Sequence, residues 1–250
     1  STIDYRFTDI IADPIGEADN FHSETLFRLP NGFLCYQGNE KILVDVDLPQ
    51  KKCEQITFGS FNNISKITPI VIKTWSKILH RVPKSRLVLK LPKLNSDTAL
   101  YHELFIQEGI AKERVEFRKR SSSIEEHLNL YNTIDISLDS FPYNGATTTC
   151  EALWMGVPVI TLLGDRHVGR VGASILSSVS LTDFITNDID GYIELAVKIS
   201  SNKNYLKELR VGLRERMQKS HLCNAFSFTK DIETAYQDIW HKYELKVIKE

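Results

Sequence analysis

From Ile56 onward, short runs of β-branched and apolar residues alternate with longer stretches in which apolar positions recur every three or four residues. The short runs are ITFGS at 56–60, RLVLKL at 86–91, RVEFR at 114–118, IDISLD at 134–139 and VPVITLL at 157–163. Strands alternating with helices predict an α/β fold: a Rossmann-like parallel sheet with helices on both faces. The helix signals between the strands are explicit. Thr68 is placed to cap, Pro69 suits the first helical position, and Val71, Trp75, Ile78, Leu79 and Val82 then fall on one face. Ser122 with Glu125, or Ser123 with Glu126, makes a capping box opening SSIEEHLNLY. Past residue 188 the pattern is helical, and Phe228, Ile232, Ala235, Tyr236, Ile239, Trp240 and Tyr243 form a stripe that needs a covering surface.

Residues 1–51 follow a different pattern. A strand in DYRFTDI is followed by a turn-rich ADPIGEADN, a mixed segment HSETLFRLPNGFLCY and a polar connector, GNEKILVDVDLPQKKCEQ. This reads as the end of one domain plus a linker, with the α/β unit running over 52–250. The chain opens on Ser1 with no methionine, as expected of a piece of something longer. No internal repeat of solenoid period is visible.

Composition narrows the function classes. With 31 basic and 32 acidic residues among 250, the net charge of −1 argues against a protein that coats nucleic acid or an anionic membrane. The longest apolar stretches, such as Val157 to Leu163, fall far short of the roughly 20 residues a spanning helix needs. Four cysteines, at 35, 53, 150 and 223, share no CxxC spacing, so a reducing, cytoplasmic setting is expected, with no structural zinc site. The near-neutral total hides an uneven distribution. Residues 55–96 carry eight cations and no carboxylate.

Several familiar signatures fail. GDRHVGRV at 164–171 has P-loop glycine spacing, but Arg170 replaces the lysine and Val171 the hydroxyl that reaches magnesium. Asp45-Val46-Asp47 resembles a metal-binding DxD, yet it sits in the polar connector, where paired carboxylates are ordinarily solvated. Two segments carry stronger signals. Lys66 lies in FGSFNNISK, the loop from the first strand into a helix, where a cation and free backbone amides can meet an anion. In SLDSFPYNGATTTCEALWMGVPVITL, a buried strand ends at Asp139 and a turn through Asn144 and Gly145 leads to Thr147, Thr148 and Thr149 at the start of a helix. Amides and hydroxyls at a positive helix end make a phosphate cradle. Glu151, one turn further on, is placed to accept from ribose hydroxyls, and His127, in the preceding helix, to meet a base.

These words are also recognisable together. FGSFNNISKITP, SRLVLK, DISLDSFPYNGATTTCEALWMGVPVITL, GRVGASIL and TAYQDIWHKY, with DYRFTD and RLPNGFLCY before them, resemble the catalytic region of the protein O-GlcNAc transferase and SPINDLY family. The resemblance spans nearly the whole chain. It implies the C-terminal half of a two-Rossmann GT-B glycosyltransferase, with residues 1–51 ending the acceptor-side half. It further implies that Lys66 neutralises the diphosphate leaving group, with Asn63 beside it as a phosphate contact. Thr147 and Thr148 would hold the distal phosphate, His127 would stack on the base and Glu151 would bind ribose. Ser122, Asn144 and Gly145 complete the expected nucleotide-binding set. The implied reaction is inverting, metal-independent transfer of a sugar to a Ser or Thr hydroxyl of a protein, and no cofactor is expected. Ala146 and Ile124 depart from the histidine and lysine of the animal enzymes, and the wording is closer to the plant SPINDLY branch, which uses GDP-fucose, and to bacterial relatives. Both UDP-GlcNAc and GDP-fucose therefore stand as donors. The acceptor-side half and tetratricopeptide repeats are expected upstream. A non-catalytic nucleotide-sugar-binding module of the same fold is the alternative reading.

Overall fold

The computed structural model describes residues 2–50, 55–91 and 96–247. The expected boundary at 51–52, together with Cys53, falls outside the described residues, as does Lys93.

Six strands form one sheet: β3 (Ile56–Ser60), β4 (Ser85–Leu91), β5 (Val115–Lys119), β6 (Ile136–Leu138), β7 (Val159–Leu162) and β8 (Ile185–Thr186). A separate pair, β1 (Tyr5–Thr8) and β2 (Thr25–Arg28), precedes them, with Tyr5 opposite Thr25 and Thr8 opposite Arg28. In the large sheet every pairing is parallel, and the order is β5, β4, β3, β6, β7, β8. The chain therefore builds outward from β3 in one direction, then returns to build from β6 in the other. Such a reversal leaves a crevice at the carboxyl ends of the two central strands, where open α/β sheets bind ligands.

Each predicted strand is present within one or two residues of its expected limits. IDISLD shortens to three paired residues and VPVITLL to four. The two-residue β8 is too short to show any alternation in sequence. It is added by hydrogen bonds from Leu163 N–H to the Thr186 carbonyl at 2.8 Å and from the Thr186 hydroxyl to the Thr161 carbonyl at 3.0 Å.

The helices are α1 (Pro69–Arg81), α2 (Ser96–Gln107), α3 (Ile124–Leu130), α4 (Thr147–Trp154), α5 (Val171–Ser178), α6 (Ile189–Ser201), α7 (Lys203–Gln218) and α8 (Ala225–Val247). Val71, Trp75, Ile78 and Leu79 of α1 are buried as their spacing predicts, against a core that includes Phe58, Leu87 and Ile136 of the sheet. Thr68, however, makes no capping bond through its side chain, and its hydroxyl is buried without a partner. Of the two possible capping boxes, Ser123 is the N-cap, accepting from Glu126 N–H at 3.1 Å. The return bond goes one residue further back, from Ser122 N–H to the Glu126 carboxylate at 2.7 Å.

α4 ends at Gly156, whose φ of +73° suits glycine alone. Gly156 N–H bonds to the Leu153 carbonyl and Val157 N–H to the Ala152 carbonyl, a Schellman closure. Arg210 of α7, 1% exposed, lies against this turn and donates to the carbonyls of Tyr131, Ile134 and Met155. Burial lowers its pKa to about 10 while Asp135 pulls the other way, so the guanidinium stays charged at neutral pH.

The early segment is docked on the large sheet's unit. Arg170, which spoiled the P-loop pattern, donates from Nε to the Ile11 carbonyl at 2.7 Å, and the Ser174 hydroxyl donates to Asp9 at 2.5 Å. Asp13, 1% exposed, receives His167 Nδ1 at 2.7 Å. The polar connector is also packed: Trp154 Nε1 donates to the Asn39 carbonyl at 3.1 Å, and a Cβ on Gly38 would meet the Trp154 ring at 2.2 Å. Within Asp45-Val46-Asp47, the Asp45 carboxylate closes a turn on Asp47 N–H at 3.1 Å.

On α8 the aromatic stripe is less covered than its periodicity predicts. Ala235 is buried, but Tyr236, Trp240 and Tyr243 are each more than half exposed. Tyr236 packs edge-to-face on Phe7 at 5.3 Å, and Asp231 receives Asn31 at 2.9 Å. Among the described residues, no helix is long and apolar enough to cross a membrane, and no three His, Cys, Asp or Glu side chains are grouped to hold a metal ion.

Candidate functional site

The crevice between β3 and β6 is built from two loops. Leaving β3, Phe61 and Asn62 stay buried and Asn63 turns outward. The Asn63 side chain accepts from Ser65 N–H and from the Ser65 hydroxyl, both at 3.1 Å, which closes the turn at Ile64–Lys66 before α1. Its neighbour Asn62 faces the interior instead. It donates to Asp139 at 3.0 Å and to the Ser140 hydroxyl at 2.8 Å, and accepts from the Thr148 hydroxyl.

Leaving β6, the chain places Asp139 in full burial. Its carboxylate takes Gly145 N–H at 2.7 Å and the Thr161 hydroxyl at 2.7 Å in addition to Asn62. Burial pushes this carboxyl up to about 6, against the opposing pull of those donors and of Lys66. Gly145 is confined: a Cβ there would stand 2.6 Å from both Asn62 Oδ1 and Thr148 Oγ1. Asn144, 1% exposed, holds the turn by donating to the Ser140 carbonyl at 3.0 Å and accepting from Gly172 N–H at 3.2 Å.

Lys66 bridges the two loops. Its Nζ donates to the Asn144 carbonyl at 2.8 Å and lies 3.9 Å over the Tyr143 ring. Burial lowers its pKa and Asp139 opposes the shift. The cation thus stands beside the start of α4, where Ala146 is the N-cap residue and Thr147 is exposed. The hydroxyl of Thr148 is spent on Asn62, leaving Thr147 as the outward hydroxyl of the pair.

At the other end, a cleft of about 480 Å³ opens between the loop after β3 and the start of α3, lined by Phe61, Asn62, Asn63, Lys90, Arg120, Ser123, Ile124 and His127 among others. Ser122 is exposed and turned to Glu126, and the serines that line the cleft are Ser121 and Ser123. The His127 ring lies against Phe61 and Tyr131, with centroids 6.3 and 5.6 Å away. Its Nε2 is 2.8 Å from Glu151 Oε2, which also receives the Tyr131 hydroxyl at 3.3 Å, and its Nδ1 is 2.6 Å from Lys90 Nζ. Burial lowers the Lys90 pKa, with Glu151 and Glu126 opposing, and raises that of Tyr131. Glu151 is only 6% exposed, so its carboxylate faces the histidine rather than open solvent.

The sequence-derived set therefore divides between a corner at the start of α4 (Lys66, Asn144, Gly145, Thr147, Thr148) and the cleft (His127 and Asn63, with Glu151 behind). Sequence reasoning missed Asn62, Lys90 and Tyr131 and used Asp139 only as a strand end. A carboxylate closing a buried strand was a usable signal for Asp139. Nothing in FNN distinguishes Asn62 from Asn63, and Lys90 in RLVLKL has the pattern of a solvated strand position.

The glycosyl transferase family 41 model matches residues 44–232. The Solanum lycopersicum protein named probable UDP-N-acetylglucosamine–peptide N-acetylglucosaminyltransferase SPINDLY is 43% identical over 97% of this chain and 26% of its own length. The Arabidopsis thaliana protein of the same activity name, SEC, is 30% identical over 96% of this chain and 25% of its own. The chain thus spans about a quarter of the length of the curated relatives it matches. Among solved structures, an O-GlcNAc transferase mutant of Thermobaculum terrenum superposes with a TM-score of 0.87 at 31% identity, covering 96% of this chain and 45% of that one. Sucrose-phosphate synthase from Thermosynechococcus elongatus shares the fold, with a TM-score of 0.64 at 15% identity over 95% of this chain and 59% of that one. The chain belongs to glycosyl transferase family 41 and has the fold of a GT-B C-terminal half.

Proposed function

We propose that this member of family 41 supplies the donor-binding half of an inverting, metal-independent protein O-glycosyltransferase. The observation that carries the reading is the meeting of Lys66 with the Asn144–Thr148 turn at the point where the sheet order reverses. As the bond from sugar to diphosphate breaks, negative charge grows on the departing phosphate. Lys66 and the amides opening α4 are already in place to meet it, so stabilisation costs no reorganisation of water. Lys66, the donor to the Asn144 carbonyl, would exchange that contact for a phosphate oxygen. Thr147, exposed beside it, offers a hydroxyl, and the base lies along His127 in the cleft.

The donor is a UDP- or GDP-sugar, with GlcNAc from UDP-GlcNAc the leading reading and fucose from GDP-fucose the second. The acceptor is a Ser or Thr hydroxyl of a protein, attacking from the face opposite the diphosphate. The base that takes its proton belongs to the acceptor-side half that precedes this region, as do tetratricopeptide repeats that recruit the protein substrate. On this reading residues 1–51 end that half, 52–250 form the donor domain, and the chain alone binds nucleotide without transferring sugar. A cytoplasmic setting agrees with the free thiols of Cys35, Cys150 and Cys223. Calorimetry of the chain with UDP, GDP, UDP-GlcNAc and GDP-fucose tests the proposal. Binding of one nucleotide series below millimolar is expected, and no binding of either would overturn it.

A further inference from the structure

Three side chains from three elements form a row that starts in the cleft and runs inward: Lys90 on β4, His127 on α3 and Glu151 on α4. Lys90 Nζ is 2.6 Å from His127 Nδ1, and His127 Nε2 is 2.8 Å from Glu151 Oε2. A lysine ammonium has three donors and no acceptor, and a carboxylate has acceptors only. A neutral imidazole bearing its proton on Nδ1 would present N–H to an ammonium and a lone pair to a carboxylate, two repulsive contacts at once. The other tautomer turns both into charge-assisted hydrogen bonds.

We infer that Lys90 is a positioning residue for His127: its ammonium holds the lone pair on Nδ1 and so directs the ring proton to Nε2 and Glu151. The inference rests on the reading of this cleft as the base end of a nucleotide site. With a bond at each nitrogen, the ring cannot flip about its Cβ–Cγ axis without losing both. Phe61 and Tyr131 limit its tilt, at 57° and 61° to the ring plane. A planar base therefore meets a wall that is already oriented, and the ordering cost is removed from binding. Other charged groups near Lys90 are Glu126 and Arg120, neither of which contacts the histidine nitrogens. Lys90 also lines the cleft, and the tautomer spectra separate its hold on His127 from a direct contact with the nucleotide.

The test uses the full chain with ¹⁵N-labelled histidine and long-range ¹H–¹⁵N correlation spectra. His127 is expected as the Nε2–H tautomer in the wild type and in Glu151→Gln, where Lys90 is the remaining charged partner, as a mixture of both tautomers in Lys90→Met/Glu151→Gln, and as Nε2–H again in Lys90→Arg/Glu151→Gln. Affinity for uridine and guanosine falls up to about tenfold in Lys90→Met, the cost of ordering one side chain on binding, while affinity for inorganic pyrophosphate is unchanged. A ring that is Nδ1–H in the wild type, or that stays wholly Nε2–H in Lys90→Met/Glu151→Gln, overturns the inference. So does an equal loss of nucleoside and pyrophosphate binding, which would make Lys90 a phosphate ligand. Should the double variant fail to fold, Glu151→Gln by itself decides: Lys90 is expected to keep the Nε2–H form, and a mixture or a shift to Nδ1–H would overturn the assignment to Lys90. If the wild type binds no nucleotide, the donor-site reading fails, while the tautomer spectra still decide the role of Lys90.

Discussion

Lys66 donates from Nζ to the carbonyl oxygen of Asn144 at 2.8 Å, so the loops that leave the adjacent strands β3 and β6 are tied here as well as through Asn62. The contact joins residues 78 apart in the chain and places the cation of one loop at the helix start that follows the other.

If that ammonium meets the diphosphate, Lys66→Met lowers affinity for UDP or GDP by about tenfold to a hundredfold, the worth of one or two charge-assisted contacts. Uridine and guanosine binding should be unaffected. Calorimetry with the nucleotide and nucleoside pairs separates the two effects, and equal losses would mark the lysine as structural.

Asn62 ties Asp139, Ser140 and Thr148 together from inside the crevice. Asn62→Ala removes two donors and an acceptor from buried partners and should cost about 1–3 kcal/mol in urea unfolding. Asn63→Ala, at the exposed position beside it, should cost less. Reversal of that order would mean that the interior network is not what holds the loops.

Asp139 starts from an ordinary value of 3.8, and burial pushes it up to about 6 in the folded protein. Between these values the folded state keeps a proton that the unfolded state has released. The stability from that proton is present at low pH and lost as pH rises through about 6. Asp139→Asn has no such proton, so the wild type should gain on the variant as pH falls from 7 to 4.5. Urea midpoints at the two pH values measure the gap, and a gap constant with pH would mean that the carboxyl is ionised throughout.

Two glycines of neighbouring elements should respond in opposite directions. Gly156→Ala places a Cβ at a φ of +73° and 2.4 Å from the Arg210 carbonyl, and is expected to destabilise by more than about 1 kcal/mol. Gly212, inside α7 with nothing within 4 Å of its added Cβ, should gain about 0.5–1 kcal/mol on Gly212→Ala because alanine loses less freedom in a helix. Thermal unfolding of the two variants checks both signs.

The strand and helix alternation was legible because burial acts on local pattern. The run ITFGS appears as β3 with every residue buried, and the α1 stripe is buried where its spacing put it. The proposed phosphate corner draws on signals of the same kind: a cation after one strand, and a glycine and hydroxyls after another, are local in sequence. The α8 stripe shows the limit of such patterns, since periodicity marks a face as apolar and in need of cover but does not say what covers it.

By itself, then, the sequence determined the α/β architecture, the family and the two loops that bear the site, because each depends on residues close together in the chain or on long ordered words. Only the tertiary structure decided the strand order that brings those loops side by side, the inward choice of Asn62 over Asn63, and the row from Lys90 through His127 to Glu151. Lys90 lies 37 residues from His127, and Glu151 a further 24. Contacts at such separations are set by how strands and helices pack across the sheet, which no local periodicity records.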